Sequence, residues 1–207
     1  MEIKRSRSFM AALSLLGWFA LTAQFYLIIN SEVAPVLELT VRFFSYFTIL
    51  TNLMVAVCST TLWLYPGSRF FSRAGTLTAI TVYILVVGII YNVVLRLLWQ
   101  PHGLQKIVDE LLHSVIPLLF LLYWALFTAR RRMDWKQCWA WLLYPLVYFI
   151  FILGRGSFSG FYPYPFVDAA RIGIPQVLIN ALGVAGIFLL LSLLFIGVSR
   201  YLTSAKK

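Results

Sequence analysis

The chemistry open to this chain starts from one hydroxyl and one imidazole. A Thr hydroxyl becomes a nucleophile when a neighbouring base takes its proton, and His is the base whose ordinary pKa suits neutral pH. Thr48 is the candidate nucleophile, with Thr51 its competitor, and His113 is the candidate base. Asp109 stands four residues before His113, which places the two on one helix face. There Asp109 could fix the imidazole tautomer, as the third member of a triad does. Asn52, one helical turn after Thr48, and Asn92, one turn before Arg96, could donate to a developing oxyanion. Arg96 and Arg155 are candidates for binding a carboxylate or anionic head group, with Asn180 and Tyr148 as further substrate-binding candidates.

Each residue also has a plainer role. A Thr in a membrane helix commonly bonds its own i−4 carbonyl, an Asn glues two helices together, an Arg snorkels to the interface, and a His near a span end packs between helices. His102, in Gln100-Pro101-His102-Gly103, reads as loop. Two His without a Cys set make no ligand cluster, so neither a metal nor another cofactor is expected.

The elements that must position these residues are membrane spans. The chain is 61% hydrophobic and 12% charged, with mean hydropathy +0.87, a composition that leaves a bilayer as its solvent. Six stretches are long and apolar enough to cross about 30 Å of hydrocarbon at about 1.5 Å per residue. They run Phe9 to Ile29, Phe43 to Tyr65, Ala74 to Trp99, Leu111 to Phe127, Trp135 to Leu153 and Gln176 to Tyr201. The expected fold is an all-α membrane protein: a single six-span bundle with no soluble domain. The apolar run after the basic N-terminus reaches Ile29 without a convincing cleavage site, so it reads as the first span and not as a removable leader.

The net charge of +10 could suggest nucleic acid, but the basic residues fall in short runs between the apolar stretches. Lys4, Arg5, Arg7, Arg69, Arg73, Arg130, Arg131, Arg132, Lys136, Arg200, Lys206 and Lys207 all map to one side. Arg42, Arg96, Lys106, Arg155 and Arg171 map to the other. The excess marks the cytoplasmic side, so both termini are expected there and no nucleic-acid partner is expected. Cys58 and Cys138 both fall toward that side, and no disulfide is expected.

Depth then brings the polar residues together. Thr48 lies about 8 Å below the outer start of span two, Asn92 about 10 Å below the outer end of span three, and Asn180 about 8 Å into span six. His113 and Ser114 open span four, so four helices contribute to one region of the outer leaflet. Polar groups in hydrocarbon need partners or a purpose. The segment Gly154 to Pro175, rich in Gly, Pro and aromatic residues, is expected to be irregular and to fold back as an interfacial anchor, with a substrate lid as the alternative. Ala181 and Ala185, with Gly183 and Gly186, are expected to mark a close helix contact.

Four pieces of sequence together carry a family resemblance. They are Phe44-Ser45-Tyr46-Phe47-Thr48-Ile49-Leu50-Thr51-Asn52-Leu53, His113-Ser114-Val115-Ile116-Pro117, Tyr144-Pro145 to Tyr148, and Gly160-Phe161-Tyr162-Pro163-Tyr164-Pro165-Phe166. The chain resembles the androgen-induced and androgen-dependent TFPI-regulating protein family, which has bacterial members of similar length. The resemblance implies a six-helix cage in a bacterial cytoplasmic membrane. It further implies a threonine hydrolase acting on fatty acid esters of hydroxy fatty acids or similar acyl lipids, with Thr48 and His113 at the positions of the family's Thr and His. The Thr51-Asn52 spacing departs from the animal pattern and leaves Thr51 in competition. Membrane lipids are the expected partners, and nothing in the sequence specifies an oligomeric state. The alternatives from other classes are a small-solute or lipid transporter and a non-catalytic lipid-binding scaffold.

Overall fold

The computed structural model describes residues 2–204, and the regular elements among them are helical. They are α1 (Glu2–Ile29), α2 (Val36–Phe43), α3 (Phe47–Leu64), α4 (Ala74–Val93), α5 (Gly103–Glu110), α6 (Ile116–Phe127), α7 (Gln137–Trp141), α8 (Leu143–Ser159) and α9 (Ala169–Ser204). A π-turn, Leu111–Val115, joins α5 to α6, and single 3₁₀ turns follow α4 and precede α9. Six helical stretches are long and apolar enough to cross a membrane: Lys4–Ile29, Phe47–Leu64, Ala74–Leu97, Gly103–Phe127, Gln137–Ser159 and Ala169–Ser204. The chain is an all-α, multi-pass membrane protein.

The apolar exterior follows from the solvent. Leu118 is 62% exposed, Leu182 74% and Leu190 70%, a surface that water would penalise and hydrocarbon does not. The span Ala74–Leu97 is the most enclosed, with α3, α6 and α9 packed around it. Its interior polar groups are paired as a bilayer requires: Trp124 Nε1 donates to Thr78 Oγ1 at 2.7 Å, and Tyr83 donates to Trp141 O at 2.8 Å. At the end holding the N-terminus, Arg7 donates to Trp63 O, Arg131 to Ser72 O and Arg200 to Met133 O, so the basic linkers are tied to one another. Lys206 and Lys207 lie outside the described residues.

Several expected boundaries shift, three of them with a physical reason near the site. Span two starts at Phe47, not Phe43, because the amphipathic α2 precedes it and the chain breaks at Phe44 to Tyr46. Glu38 and Arg42 on α2 pair with each other at 2.8 Å, which keeps that helix out of hydrocarbon. Span four starts at Gly103 instead of Leu111: Lys106 and Glu110 lower the hydropathy there, yet the same turns bury Val108 completely. The segment Gly154 to Pro175 is irregular at 160–168 and again at Gly173, where φ 76° and ψ 155° kink the chain just before Pro175, while α8 continues to Ser159 and α9 begins at Ala169. A helical Gly costs only about 1 kcal/mol relative to Ala, and Gly156 has a reason to be there. The Tyr162 ring lies where a Cβ would stand.

The expected close contact at Gly183 and Gly186 is not formed, because a Cβ at either would meet no atom within 4 Å. Ala181 and Ala185 instead line a cavity.

Span four contains the fold's most consequential irregularity. Ile116 N–H reaches back to Leu111 O, five residues earlier, in the π register. In that register Leu112 O would next look to residue 117, as would His113 O in the α register, and Pro117 has no N–H. Neighbouring spans supply the donors. Asn52 Nδ2 donates to Leu112 O at 3.2 Å and to Thr48 O at 2.9 Å, while Asn92 Nδ2 donates to His113 O at 3.3 Å and to Gly88 O at 2.8 Å. A Cβ at Gly88 would sit 3.0 Å from His113 O, so only Gly lets the two spans approach this closely.

Asn52→Leu is therefore expected to destabilise the fold by about 1–3 kcal/mol, because it orphans a buried carbonyl. Pro117→Ala restores a backbone N–H at that turn, so its combination with Asn52→Leu should cost less than the sum of the single changes. Thermal unfolding of the four proteins in one detergent measures this coupling, and strict additivity would refute it.

Candidate functional site

A cavity of about 550 Å³ opens among α3, α4, α8, α9 and the 160–168 loop. Its walls are aliphatic and aromatic, and three lining residues carry a polar side-chain atom: Thr48, Tyr148 and Tyr164. Leu146, Leu178 and Leu182 line it while 54%, 47% and 74% exposed, which sets its mouth on the lipid-facing surface between α8 and α9. Its volume falls within the usual range for small-molecule pockets, about 300–1,000 Å³.

Thr48 sits in the first turn of α3, where backbone N–H groups lack intrahelical partners. Tyr46 at the N-cap makes no side-chain cap bond. Tyr164, from the loop, fills that role: Thr48 N–H donates to its hydroxyl at 3.2 Å, and Thr48 Oγ1 lies 3.3 Å from the same oxygen. The Tyr164 ring stacks flat on Phe166, with centroids 5.3 Å apart at 6°, and meets the edge of Tyr46 at 5.8 Å. Burial pushes the Tyr164 hydroxyl up to about 12, so it keeps its proton at neutral pH.

The loop that carries Tyr164 is fastened at three points. Asn180 Nδ2 donates to Phe166 O at 2.9 Å. Arg155 bonds Phe161 O at 3.3 Å and Glu38 at 3.1 Å. Arg42 and Arg155 both lie over the Phe161 ring, with centroid distances of 4.6 and 4.9 Å. Asn180 and Arg155, expected to bind substrate, thus hold the loop onto α2 and α9. Tyr148 lines the cavity and donates its hydroxyl to Ser45 O at 2.8 Å.

His113 lies in the π-turn of span four and is not among the cavity-lining residues. Its ring stacks on Tyr91, centroid to centroid 3.8 Å at 15°. Nδ1 lies 2.9 Å from the backbone carbonyl of Asp109, which can only accept, so Nδ1 carries the proton and Nε2 presents a lone pair. The Asp109 carboxylate was the expected orienting group, yet it lies 3.7 Å away and instead accepts from Trp99 Nε1 at 2.8 Å and Tyr91 at 3.2 Å.

No hydrogen bond joins Thr48 to His113 among the described residues. Asn52 joins their helices, through Thr48 O and Leu112 O. The Asn52 amide hydrogens are thereby used, while its buried Oδ1 has no partner among the described residues. Asn92 is likewise committed to two carbonyls. Thr51 is fully buried, 3.2 Å from the Tyr144 hydroxyl, and does not line the cavity. Arg96 pairs with Glu110 at 2.6 Å and Ser114 at 3.3 Å and covers Tyr91.

Tyr164, Tyr91, Glu38 and Phe161 were not singled out by sequence reasoning. The signal for Tyr164 and Phe161 was the aromatic density of 160–166, and for Glu38 its i,i+4 spacing from Arg42. No protein-family model, curated protein or solved structure matches this chain. What fold and site define by themselves is a multi-pass membrane protein with a lipid-facing, largely apolar cavity lined by three hydroxyl-bearing residues, of which Thr48 and Tyr164 face each other.

The Glu38 carboxyl is held below its ordinary value by hydrogen bonds from Arg42 and then Arg155, against partial desolvation. A depressed carboxyl stabilises the folded loop above its unfolded pKa and loses that contribution as pH falls through the folded value. Opening of the 160–168 loop, read by amide hydrogen exchange corrected for the intrinsic rate at each pH, should therefore increase on acidification below the usual carboxylate range. Glu38→Gln should show that faster exchange already at neutral pH, with no further rise on acidification from this group.

Proposed function

We propose that this protein draws one acyl chain of a membrane lipid ester into its cavity and cleaves the ester at Thr48. The observation that carries the reading is the Thr48 hydroxyl, beside that of Tyr164, on the wall of a predominantly apolar, laterally open cavity. An acyl chain satisfies such a wall, and an ester is the group it would leave beside the hydroxyl. Thr48 also stands at the N-terminus of an 18-residue helix, whose dipole favours negative charge as the oxygen attacks.

In this reading Thr48 Oγ attacks the ester carbonyl carbon and His113 Nε2 takes the hydroxyl proton. The leaving alcohol recovers that proton, and water then releases the acid from the acyl-threonine. Support for His113 as the base is the bond from Nδ1–H to Asp109 O, which in the neutral ring leaves Nε2 as the proton acceptor. The resemblance to the androgen-induced family supports the reaction type and the substrate class, fatty acid esters of hydroxy fatty acids or similar acyl lipids. The basic linkers support a topology with both termini cytoplasmic and the cavity toward the outer leaflet, and the family resemblance supports a bacterial cytoplasmic membrane as its location.

A second reading, lipid binding without turnover, is favoured by the missing bond between Thr48 and His113. One experiment separates the two. Purified protein is incubated with a long-chain fluorophosphonate, the adduct is mapped, and fatty acid release from a fatty acid ester of a hydroxy fatty acid is followed. Hydrolysis predicts an adduct on Thr48, no release by Thr48→Ala, and a rate about 100-fold or more lower for His113→Ala. Saturable binding of the ester with no adduct and no release selects the second reading. Labelling that persists in Thr48→Ala removes Thr48 as the nucleophile.

A further inference from the structure

We propose that Tyr164 is a second catalytic group, whose phenol O–H and the Thr48 backbone N–H together receive the ester carbonyl oxygen. The inference rests on the hydrolase reading of Thr48. Its basis is geometric: one phenol oxygen lies 3.2 Å from Thr48 N and 3.3 Å from Thr48 Oγ1, so it touches both the attacking atom and the donor beside it. A nucleophile's own backbone N–H is a recurrent half of an oxyanion hole, and a side-chain donor can supply the other half.

The groups expected to supply donors are spent elsewhere. The amide hydrogens of Asn52 and Asn92 meet the carbonyls of spans two, three and four, and the Tyr148 hydroxyl meets Ser45 O. Tyr164 is the remaining hydroxyl on the cavity wall beside Thr48. Its position is rigid, because Phe166 stacks on its ring and Asn180 anchors Phe166 O. The Thr48 N–H bond to Tyr164 is exchanged for one to the carbonyl oxygen as the ester enters, after which both donors are in place before charge develops.

As Thr48 Oγ bonds to the carbonyl carbon, the C=O π pair moves onto oxygen and the hydroxyl proton passes to His113. By then the carbonyl oxygen has taken over Thr48 N–H from Tyr164 and accepts the phenol hydrogen bond. No bond to Tyr164 forms or breaks. Collapse of the intermediate restores the carbonyl and expels the alkoxide, which takes the proton from His113, and the same two donors serve again when water attacks the acyl-threonine.

Tyr164→Phe keeps the ring and removes the donor. The expected result is a kcat about 100-fold lower with KM and fatty acid binding within about threefold of the parent. A fluorotyrosine at position 164 restores the donor and should recover kcat, moving the high-pH limb of the rate profile downward with the more acidic phenol. A purely structural cap predicts otherwise: a lower thermal midpoint, kcat within about twofold of the parent and an unmoved pH limb, and that outcome overturns the proposal. Thr48→Ala run in parallel keeps the two claims apart. If it retains full release the hydrolase reading falls, whereas loss of release there with an unaffected Tyr164→Phe removes only the role of Tyr164.

Discussion

Hydrocarbon offers a released carbonyl no hydrogen bond, and much of this molecule's organisation follows from how it meets that constraint in span four. Pro117 withdraws the donor that Leu112 O or His113 O would use, and the π register at Leu111–Val115 moves Ile116 N–H out of reach of Leu112. Asn52 and Asn92 answer from two other spans, and Gly88 lets the backbone come near enough for one of them to do so. Satisfying the backbone thus fixes spans two, three and four against one another at the level of Thr48 and His113. The asparagines do work that a water-exposed helix would leave to solvent, and so they are not spare donors for a ligand.

The other end of the arrangement is held from outside the helices. The 160–168 loop is too short to be stable by its own contacts, and it is ordered by two arginines around Phe161, by Glu38 on the interfacial helix and by Asn180 on the last span. Those fastenings deliver Tyr164 to the free N-terminus of α3. The helix lacks a side-chain cap from its own N-cap residue because that cap is supplied from more than a hundred residues away.

The spans were legible in the sequence because twenty apolar residues in a row report directly on the solvent they need. Their ends were less so. Hydropathy sees Lys106 and Glu110 as a reason to begin span four late, whereas backbone hydrogen bonding carries the helix back to Gly103 and Val108 packs inside. Glycine at 154 and 156 suggested a break, but α8 runs through both, and Tyr162 uses the space at Gly156. Depth arithmetic drew Thr48, Asn92, His113 and Asn180 toward one end of the bundle, where Asn52, Asn92 and Asn180 link their elements by hydrogen bonds. It could not say which donors were already committed, since that depends on the π-turn, and Pro117 is the only trace of the π-turn in the sequence. Tyr164 escaped notice because a tyrosine among aromatic neighbours carries no local mark of a partner so distant in the chain.

The mouth between α8 and α9, walled by Leu146, Leu178 and Leu182, gives onto the acyl region and not onto water. Whatever enters there arrives by diffusion in the plane of the bilayer, so its availability is a mole fraction of the surrounding lipid. Bulk lipid tails are then constant competitors for the same space. Occupancy should follow surface dilution, and a ligand gains its advantage only through the polar group that distinguishes it from its neighbours.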